Sequence, residues 1–494
     1  MKIKVESRAE TFELNVNPGH KLLHHLQEAD IPVNAACGGN GSCTKCRVKI
    51  KEGFVGITKA DQKAFSEAEL ATGWRLSCQA TPRTNISCLV PDVENLNAKP
   101  RVIFQTQNPQ SKNPTLACDL GSTGIVVAIG DESGHSLIEA HLLNKQVRFG
   151  ADVMTRLKVA QERGVGVLNE KLIESLQLCL NELQKAAPEL FEKAKAKGLF
   201  CSGNSAIVSF LHNWNIAELA VYPFQPLHKE YFESQNSKLG LTLKTLPLLG
   251  GFVGADTYAG LYYLQTLKPE EPWMLVDIGT NTEIVLNNGK NDWFFSSAPA
   301  GPAFEGGNIV QGMRAESGAI SHAEFKNGQW QIETIGNDKA RGICGSGLMD
   351  ILYESVKAEL IGKDGYLPGN KLSVSEDIYL IADDIREFQL AKSATRTACD
   401  LLMKRAGSKP KTIYLAGTFA AHLREDSVKG IGLLDKDIPL VTIGNSSLGG
   451  TLLYAAASEK DRIQFNESMQ SKLKAVELAM QNDFQDAFVQ NLNF

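Results

Sequence analysis

Cys37, Cys43 and Cys46 fall in the short stretch AACGGNGSCTKCRV, residues 35–48, and Cys78 follows in WRLSCQA. Most of what separates the first three is Gly, Asn, Ser, Thr or Lys. Thiolates are soft, polarisable ligands that hold iron in tetrahedral sulfur sites. Glycines let a backbone curl round such a centre and turn its N–H groups towards the sulfurs. The pattern predicts an iron–sulfur cluster with Cys37, Cys43, Cys46 and Cys78 as ligands. A structural zinc site is the alternative. Zinc knuckles, however, pair two C-x2-C elements or add His, and here one tight triplet meets one distant partner. Cys88, Cys118, Cys179, Cys201, Cys344 and Cys399 have no metal spacing and are expected to be packed thiols, so no second cluster is expected.

A second set of residues could hold phosphate. TLACDLGSTGIVVAIGD, residues 115–131, and WMLVDIGTNTEIVLNNG, residues 273–289, echo each other. Each is an apolar strand ending in Asp-x-Gly-Ser/Thr, a tight turn and a second β-rich strand. Backbone N–H groups and hydroxyls at such a turn can face phosphate oxygens. That makes Gly121, Ser122 and Thr123, and Gly279, Thr280 and Asn281, candidate phosphate ligands. Asp119 and Asp277 sit at equivalent positions and suit Mg²⁺, a hard cation that keeps several waters. Two copies predict a duplicated fold with a nucleotide in the cleft between lobes. Glu305, in APAGPAFEGGNIVQGMRA, is the candidate for activating water or holding metal.

The elements that must position these residues can be read in order. IKVES and TFELNV read as a hairpin, LLHHLQEADI as an amphipathic helix with His24 and His25 on its surface, RVKIKEG as a strand, ADQKAFSEAEL as one short helix and TNISCLVP as a closing strand. Hairpin, helix, cysteine loop and returning strands resemble the β-grasp ferredoxin with a [2Fe–2S] cluster, assigned to residues 1–92. The spacing C-x5-C-x2-C has one loop residue more than the plant-type C-x4-C-x2-C. Residues 93–114 are polar, with RVIF as the single strand. They read as a tether that lets the cluster reach a partner, or as a connector with fixed packing.

Residues 115–494 are read as an actin-like ATPase domain: lobe one about 115–268, lobe two about 269–460 and C-terminal helices 461–494. TIYLAGTFAAHL, residues 412–423, is an apolar strand running into a glycine turn at Gly417. It resembles the adenosine motif of the actin, sugar kinase and chaperone superfamily. In that superfamily a helix before the motif supplies polar groups to the nucleotide. This implies Gln389, Lys392 and Arg396 on the amphipathic stretch 383–405; a solvated helix face is the alternative. The fold class is therefore an α+β β-grasp ferredoxin domain followed by a two-lobed α/β actin-like, duplicated RNase H-like ATPase.

Composition excludes other classes. The chain is 43% hydrophobic and 22% charged with net charge −5, so no basic excess points to nucleic acid. No apolar run is long enough for a membrane span. MKIKVESRAETFELNV alternates like a strand and lacks an apolar signal core, which predicts a cytoplasmic protein with reduced thiols.

A [2Fe–2S] ferredoxin joined to a duplicated ATPase resembles the reductive activators of corrinoid-dependent enzymes. The likeness is carried by CGGNGSCTKC, NKQVRFGADVMTRL, FVGADT, LVDIGTNTEIVL, AGPAFEGGNI, GICGSGL and DIREFQLAK. It implies an ATP-hydrolysing activator that uses MgATP and an external electron donor to return the cobalt of a corrinoid protein, part of a methyltransferase system, from Co(II) to Co(I). A plant-type cluster sits at about −400 mV, and the cobalt couple is expected to lie lower, which gives ATP its purpose. A homodimer is a further expectation, since two-lobed folds of this kind often pair. The chain departs from the family in a short ferredoxin-to-ATPase connection, which implies a reduced or missing middle domain, and in Thr418, where many relatives carry Gly. The competing reading is a redox-sensing kinase or regulatory ATPase with no corrinoid partner.

Overall fold

Ile3 and Val5 alternate with polar residues and are fully buried, which commits the first strand to one sheet face. The computed structural model describes residues 1–7, 10–91, 98–478 and 481–494. Strands β1 (Lys2–Ser7) and β2 (Glu10–Asn15) form an antiparallel hairpin. Helix α1 (Leu22–Glu28) covers it with Leu22, Leu23 and Leu26. Strand β3 (Arg47–Glu52), helices α2 (Lys59–Ala64) and α3 (Glu67–Ala71), β4 (Trp74–Leu76) and β5 (Ile86–Val90) complete the module. The sheet order β2-β1-β5-β3-β4, with β5 parallel to β1, is the expected β-grasp. Two expectations change. ADQKAFSEAEL is two helices, because Phe65 is extended and Ser66 opens a new capping box with Glu69. His25 is buried, packed on the inner side of α1.

RVIF forms β6 (Arg101–Phe104), which pairs antiparallel with β9 (Ser136–Leu143) beyond β7 (Thr115–Leu120) and β8 (Gly124–Gly130). A 3₁₀ turn (Lys145–Phe149) leads into α4 (Val153–Arg163), α5 (Gly166–Ala186), α6 (Pro188–Lys195), β10 (Leu199–Gly203), α7 (Ser205–Leu211), β11 (Phe232–Asn236) and β12 (Leu241–Thr245). The sheet runs β11-β12-β10-β7-β8-β9-β6, an antiparallel β7–β8–β9 meander with β10 parallel to β7.

The ferredoxin module is docked, not loosely tethered. Gln27 donates to the Arg148 carbonyl at 2.6 Å and accepts from Arg163 at 2.7 Å. Asp30 pairs with Arg148 and, at 2.8 Å, with Lys171. Burial raises the Asp30 carboxyl, but these cations outweigh it and hold it below its ordinary value. Part of the expected connector, residues 93–97, lies outside the described residues.

The same topology recurs further on. Helix α8 (Ala255–Thr266) precedes β13 (Trp273–Ile278), β14 (Thr282–Asn287) and β15 (Trp293–Ala298), an antiparallel meander. Strands β16 (Ala319–Lys326), β17 (Gln329–Thr334) and β18 (Gly342–Ile343) form a small separate sheet, followed by α9 (Gly345–Lys357) and the β19 (Leu372–Ser373)–β20 (Tyr379–Leu380) pair. Then come α10 (Ala382–Ala406), β21 (Thr412–Ala416), α11 (Glu425–Gly430), β22 (Leu440–Thr442), α12 (Ser446–Ala456), α13 (Glu459–Lys472), β23 (Leu473–Ala475) and α14 (Phe484–Gln490). Strand β21 lies parallel to β13 as β10 does to β7, so the duplication is one of topology as well as sequence.

The chain divides into two compact units: residues 1–132, 136–228 and 233–244, and residues 133–135, 229–232 and 245–494. The ferredoxin module clusters with the first. By packing, α8 belongs with the second unit, whose main segment starts at residue 245, because it packs on α12. The C-terminal stretch is not all helical: β23 adds in parallel to the edge of β15.

Asp61, fully buried, ties the cysteine-bearing segment to this frame. Its carboxylate accepts from the Thr58 amide and hydroxyl and from the Leu76 amide, each at 2.7 Å. Asp61→Ala would strand the Leu76 N–H two residues before Cys78. It is expected to destabilise the ferredoxin module by about 2–3 kcal/mol, read as a lower denaturant midpoint for cluster loss.

Candidate functional site

The four predicted thiols come together at one end of the β-grasp sheet. The Ser77 amide donates to the Cys46 carbonyl at 2.8 Å, which brings β4's end beside the loop. The Leu22 and Leu23 amides bind the Ala80 and Ser77 carbonyls, pinning the start of α1 to the Cys78 turn. The sulfurs form two hydrogen-bonded pairs, Cys37 with Cys43 and Cys46 with Cys78. Within the first, the bond from Cys43 and the Ser42 donors push the Cys37 thiol down to about 3, while Cys43 is driven up. Within the second, the bond from Cys46 pushes Cys78 down to about 7, and Cys46 is driven up. Two thiolates side by side repel, so each pair keeps one proton unless a cation lies between them.

Backbone N–H groups of Ser42, Cys43, Lys45 and Gly41 point at these sulfurs, as the glycine-rich loop predicts. Among the described residues no three or more His, Cys, Asp or Glu converge to hold a single metal ion. Two thiol pairs with inward N–H donors fit a binuclear [2Fe–2S] cluster, one pair for each iron. The other six cysteines are buried and unpaired by disulfides, as packed thiols should be; Cys344 donates to the Ile320 carbonyl at 3.2 Å.

In the first unit, Asp119 closes β7 and the turn Gly121–Thr123 follows. Three consecutive carbonyls of that turn are held from behind. Asn144, with no solvent exposure, donates its side-chain amide to Gly121 and its backbone N–H to Thr123, both at 2.9 Å. Arg156, also fully buried, donates to the Ser122 carbonyl at 2.6 Å. Holding the carbonyls leaves the turn's N–H side for a ligand. Asn144 and Arg156 were not singled out from sequence. Both lie in NKQVRFGADVMTRL, but a polar residue in a helical pattern reads as surface unless its burial is known.

In the second unit, Asp277 closes β13 opposite Glu283 of β14 and beside Ala416 of β21. Thr280 donates its hydroxyl to Glu305 at 2.6 Å and accepts the Gly301 amide at 2.9 Å, so the turn and the predicted carboxylate meet. Gly417 has φ +97°, and a Cβ there would come 2.8 Å from the Asp277 carboxylate. The glycine turn and the acid therefore share one tight space that a side chain would fill. Burial, with the Asp256 and Asp277 carboxylates, pushes the Glu283 carboxyl well above its ordinary range. Asp256, in the FVGADT stretch, and Glu283 were missed as members of this acidic group.

Helix α10 departs from expectation. Gln389 donates to the carbonyls of Asp364 and Leu492, at 2.9 and 3.1 Å. The Lys392 ammonium binds the Asn493 carbonyl and lies over the Phe494 ring. Arg396 pairs with Asp400. Gln389 and Lys392 are buried under the C-terminal segment, which satisfies them, so neither the nucleotide-facing nor the solvated reading describes them.

Comparison with known proteins accords with this geometry. Family models match over residues 5–83 (2Fe-2S iron-sulfur cluster binding domain), 115–268 (RACo middle region) and 271–494 (C-terminal domain of RACo, the ASKHA domain). The region called middle is thus present, as lobe one. The chain is 27% identical to the corrinoid activation enzyme RamQ of Eubacterium limosum, over 98% of this chain and 97% of that one. It is 24% identical to a [Co(II) methylated amine-specific corrinoid protein] reductase of Methanosarcina barkeri, over 74% of each. The solved structure of a reductive activator for corrinoid, iron-sulfur protein superposes with TM-score 0.68 at 21% identity, covering 100% of this chain and 98% of that one, and shares its fold.

Pairing alone does not separate ligands from bystanders, since Cys118 and Cys201 are also hydrogen-bonded; the backbone N–H groups aimed at the loop thiols do. Cys78→Ser is expected to lose most of the visible absorption and iron of the anaerobically reconstituted protein. Cys88→Ala, at a buried thiol outside the pairs, is expected to retain both.

Proposed function

We propose that this chain, which belongs to the family of reductive activators of corrinoid proteins, returns the cobalt of a corrinoid protein from inactive Co(II) to Co(I) at the expense of ATP. The observation that carries this reading is the joining, in one chain, of a ferredoxin module whose four thiols form two pairs with a duplicated ATPase bearing two Asp-x-Gly turns. The cluster, when bound by Cys37, Cys43, Cys46 and Cys78, supplies one-electron chemistry from an external reductant. The rest is positioning by protein groups.

ATP is the substrate of residues 115–494. Gly121, Ser122 and Thr123 offer N–H and hydroxyl donors to phosphate from a turn whose carbonyls Asn144 and Arg156 hold away. Gly279, Thr280 and Asn281 form the equivalent turn, whose Thr280 and Asn281 N–H groups are assigned to phosphate while the Gly279 N–H is held by the Asn281 carbonyl and the Thr280 hydroxyl by Glu305, and Gly417 lets the adenosine turn close on Asp277. Asp119 and Asp277 are assigned to Mg²⁺ through its waters. The Asp256 and Asp277 carboxylates favour a cation there, beside a Glu283 carboxyl that burial and these two neighbours push well above its ordinary range. Glu305, oriented by the Thr280 hydroxyl, is assigned to aligning the water that attacks the terminal phosphate. ATP shifts the balance towards reduction only through a difference in its affinity for two arrangements of the protein. Gln389 and Lys392 have no part in this scheme. The partner is a corrinoid protein of a methyltransferase system; a cytoplasmic setting and a homodimer belong to the same proposal.

The direct test mixes anaerobically reduced protein with a Co(II) corrinoid protein and follows the cobalt spectrum with and without MgATP. Conversion to Co(I) that needs both MgATP and the four cysteines is expected. Reduction that persists with the cysteines changed to Ser would exclude the cluster, and phosphorylation of a small molecule in place of reduction would favour a kinase. Asn144→Ala, which frees the Gly121 carbonyl, is expected to weaken ATP binding about tenfold by calorimetry, the equivalent of about 1.4 kcal/mol.

A further inference from the structure

The start of α4 touches both chemical centres of the first unit. The Arg156 guanidinium donates to the Ser122 carbonyl at 2.6 Å and, through Nε, to the Gly150 carbonyl at 2.9 Å. The next residue, Ala151, donates its N–H at 2.9 Å to the carbonyl of Ala36, the neighbour of Cys37. Thr155, beside Arg156 in the chain, packs its methyl against the cluster loop at Gly38. A Cβ at Gly38 would lie 2.1 Å from that methyl, and its φ of +61° is one that glycine adopts freely. One turn further on, Lys158 donates to the Asn40 side chain at 3.1 Å.

We propose that Arg156 is a positioning residue that couples the first phosphate turn to the cluster loop, so that nucleotide at the turn alters the surroundings of Cys37. The proposal rests on the function above and adds a route within it. A phosphate that draws the turn's N–H groups towards itself tilts the Ser122 peptide, whose carbonyl is Arg156's acceptor. Arg156 is buried and its planar fork holds two acceptors at once, so a displaced Ser122 carbonyl moves the guanidinium and the Gly150–Ala151 bend together. That bend carries the hydrogen bond to Ala36. Linkage makes the coupling reciprocal: the reduction state of the cluster changes nucleotide affinity by the factor with which nucleotide changes the reduction equilibrium.

The test uses the full chain with its cluster, anaerobically, with MgADP and a non-hydrolysable ATP analogue. Calorimetry measures nucleotide affinity in the oxidised and reduced states, and electron paramagnetic resonance reads the reduced cluster. In the wild type, nucleotide is expected to change the resonance line shape, and the two affinities are expected to differ. Arg156→Lys keeps the charge but not the fork; like Asn144→Ala it is expected to bind nucleotide about tenfold more weakly, and, at nucleotide concentrations that saturate it, to hold its cluster while losing both effects. Gly38→Ala breaks the far end of the route, and adding Thr155→Ser, which removes the obstructing methyl, is expected to restore the response. Should Arg156→Lys fail to fold, the Gly38→Ala pair decides. Binding with no change at the cluster overturns the coupling alone, as does a full response in either single variant. No nucleotide binding at all overturns the proposed function, and the coupling with it.

Discussion

Three backbone carbonyls in a row, those of Gly121, Ser122 and Thr123, would be poorly matched in a tight turn without donors behind them. Asn144 and Arg156 supply those donors from fully buried positions. A buried guanidinium is tolerable only where hydrogen bonds replace its water, so Arg156 needs the carbonyls as much as they need it. This mutual requirement fixes the path of residues 144–156. That path in turn sets where Ala151, Thr155 and Lys158 stand, and they are the residues that receive the cluster loop. The docking of the ferredoxin module through Gln27 and Asp30 extends the same surface.

The duplicated units solve one problem in two ways. Each has an antiparallel meander, a carboxylate at the end of its first strand and a glycine turn. In the first, the turn is braced by buried donors to its carbonyls. In the second, the bracing is the Thr280–Glu305 bond and the close approach of Gly417 to Asp277. Acidic side chains are also distributed unequally: Asp277 has the Glu283 carboxyl across the strand and Asp256 nearby, whereas Asp119 stands opposite Val126. The first turn is the better linked to the rest of its unit.

The cysteine loop, the hairpin, both Asp-x-Gly turns and the long helix at 382–406 were legible because their signals are local: spacing, alternation and helical periodicity. What was misread involved partners far away in the chain. RVIF reads as a strand, in a tether or in a connector with fixed packing, and only its sheet partner, β9, decides for the second. Residues 473–475 sit in a helical pattern, yet the open edge of β15 draws them into a strand. Gln389 and Lys392 form a polar stripe suited to a ligand, and residues 492 and 493 take up that capacity.

By itself the sequence determined the cysteine loop, the two Asp-x-Gly turns and the fold class, because each is written in residues close enough to constrain one another through the backbone. The tertiary structure alone decided that the four thiols divide into two pairs, that the ferredoxin module is docked, and that Asn144 and Arg156 are interior donors. These depend on burial and on contacts between distant segments. A polar side chain has the same spelling on a surface as in a core; only the fold determines whether water or a carbonyl becomes its partner.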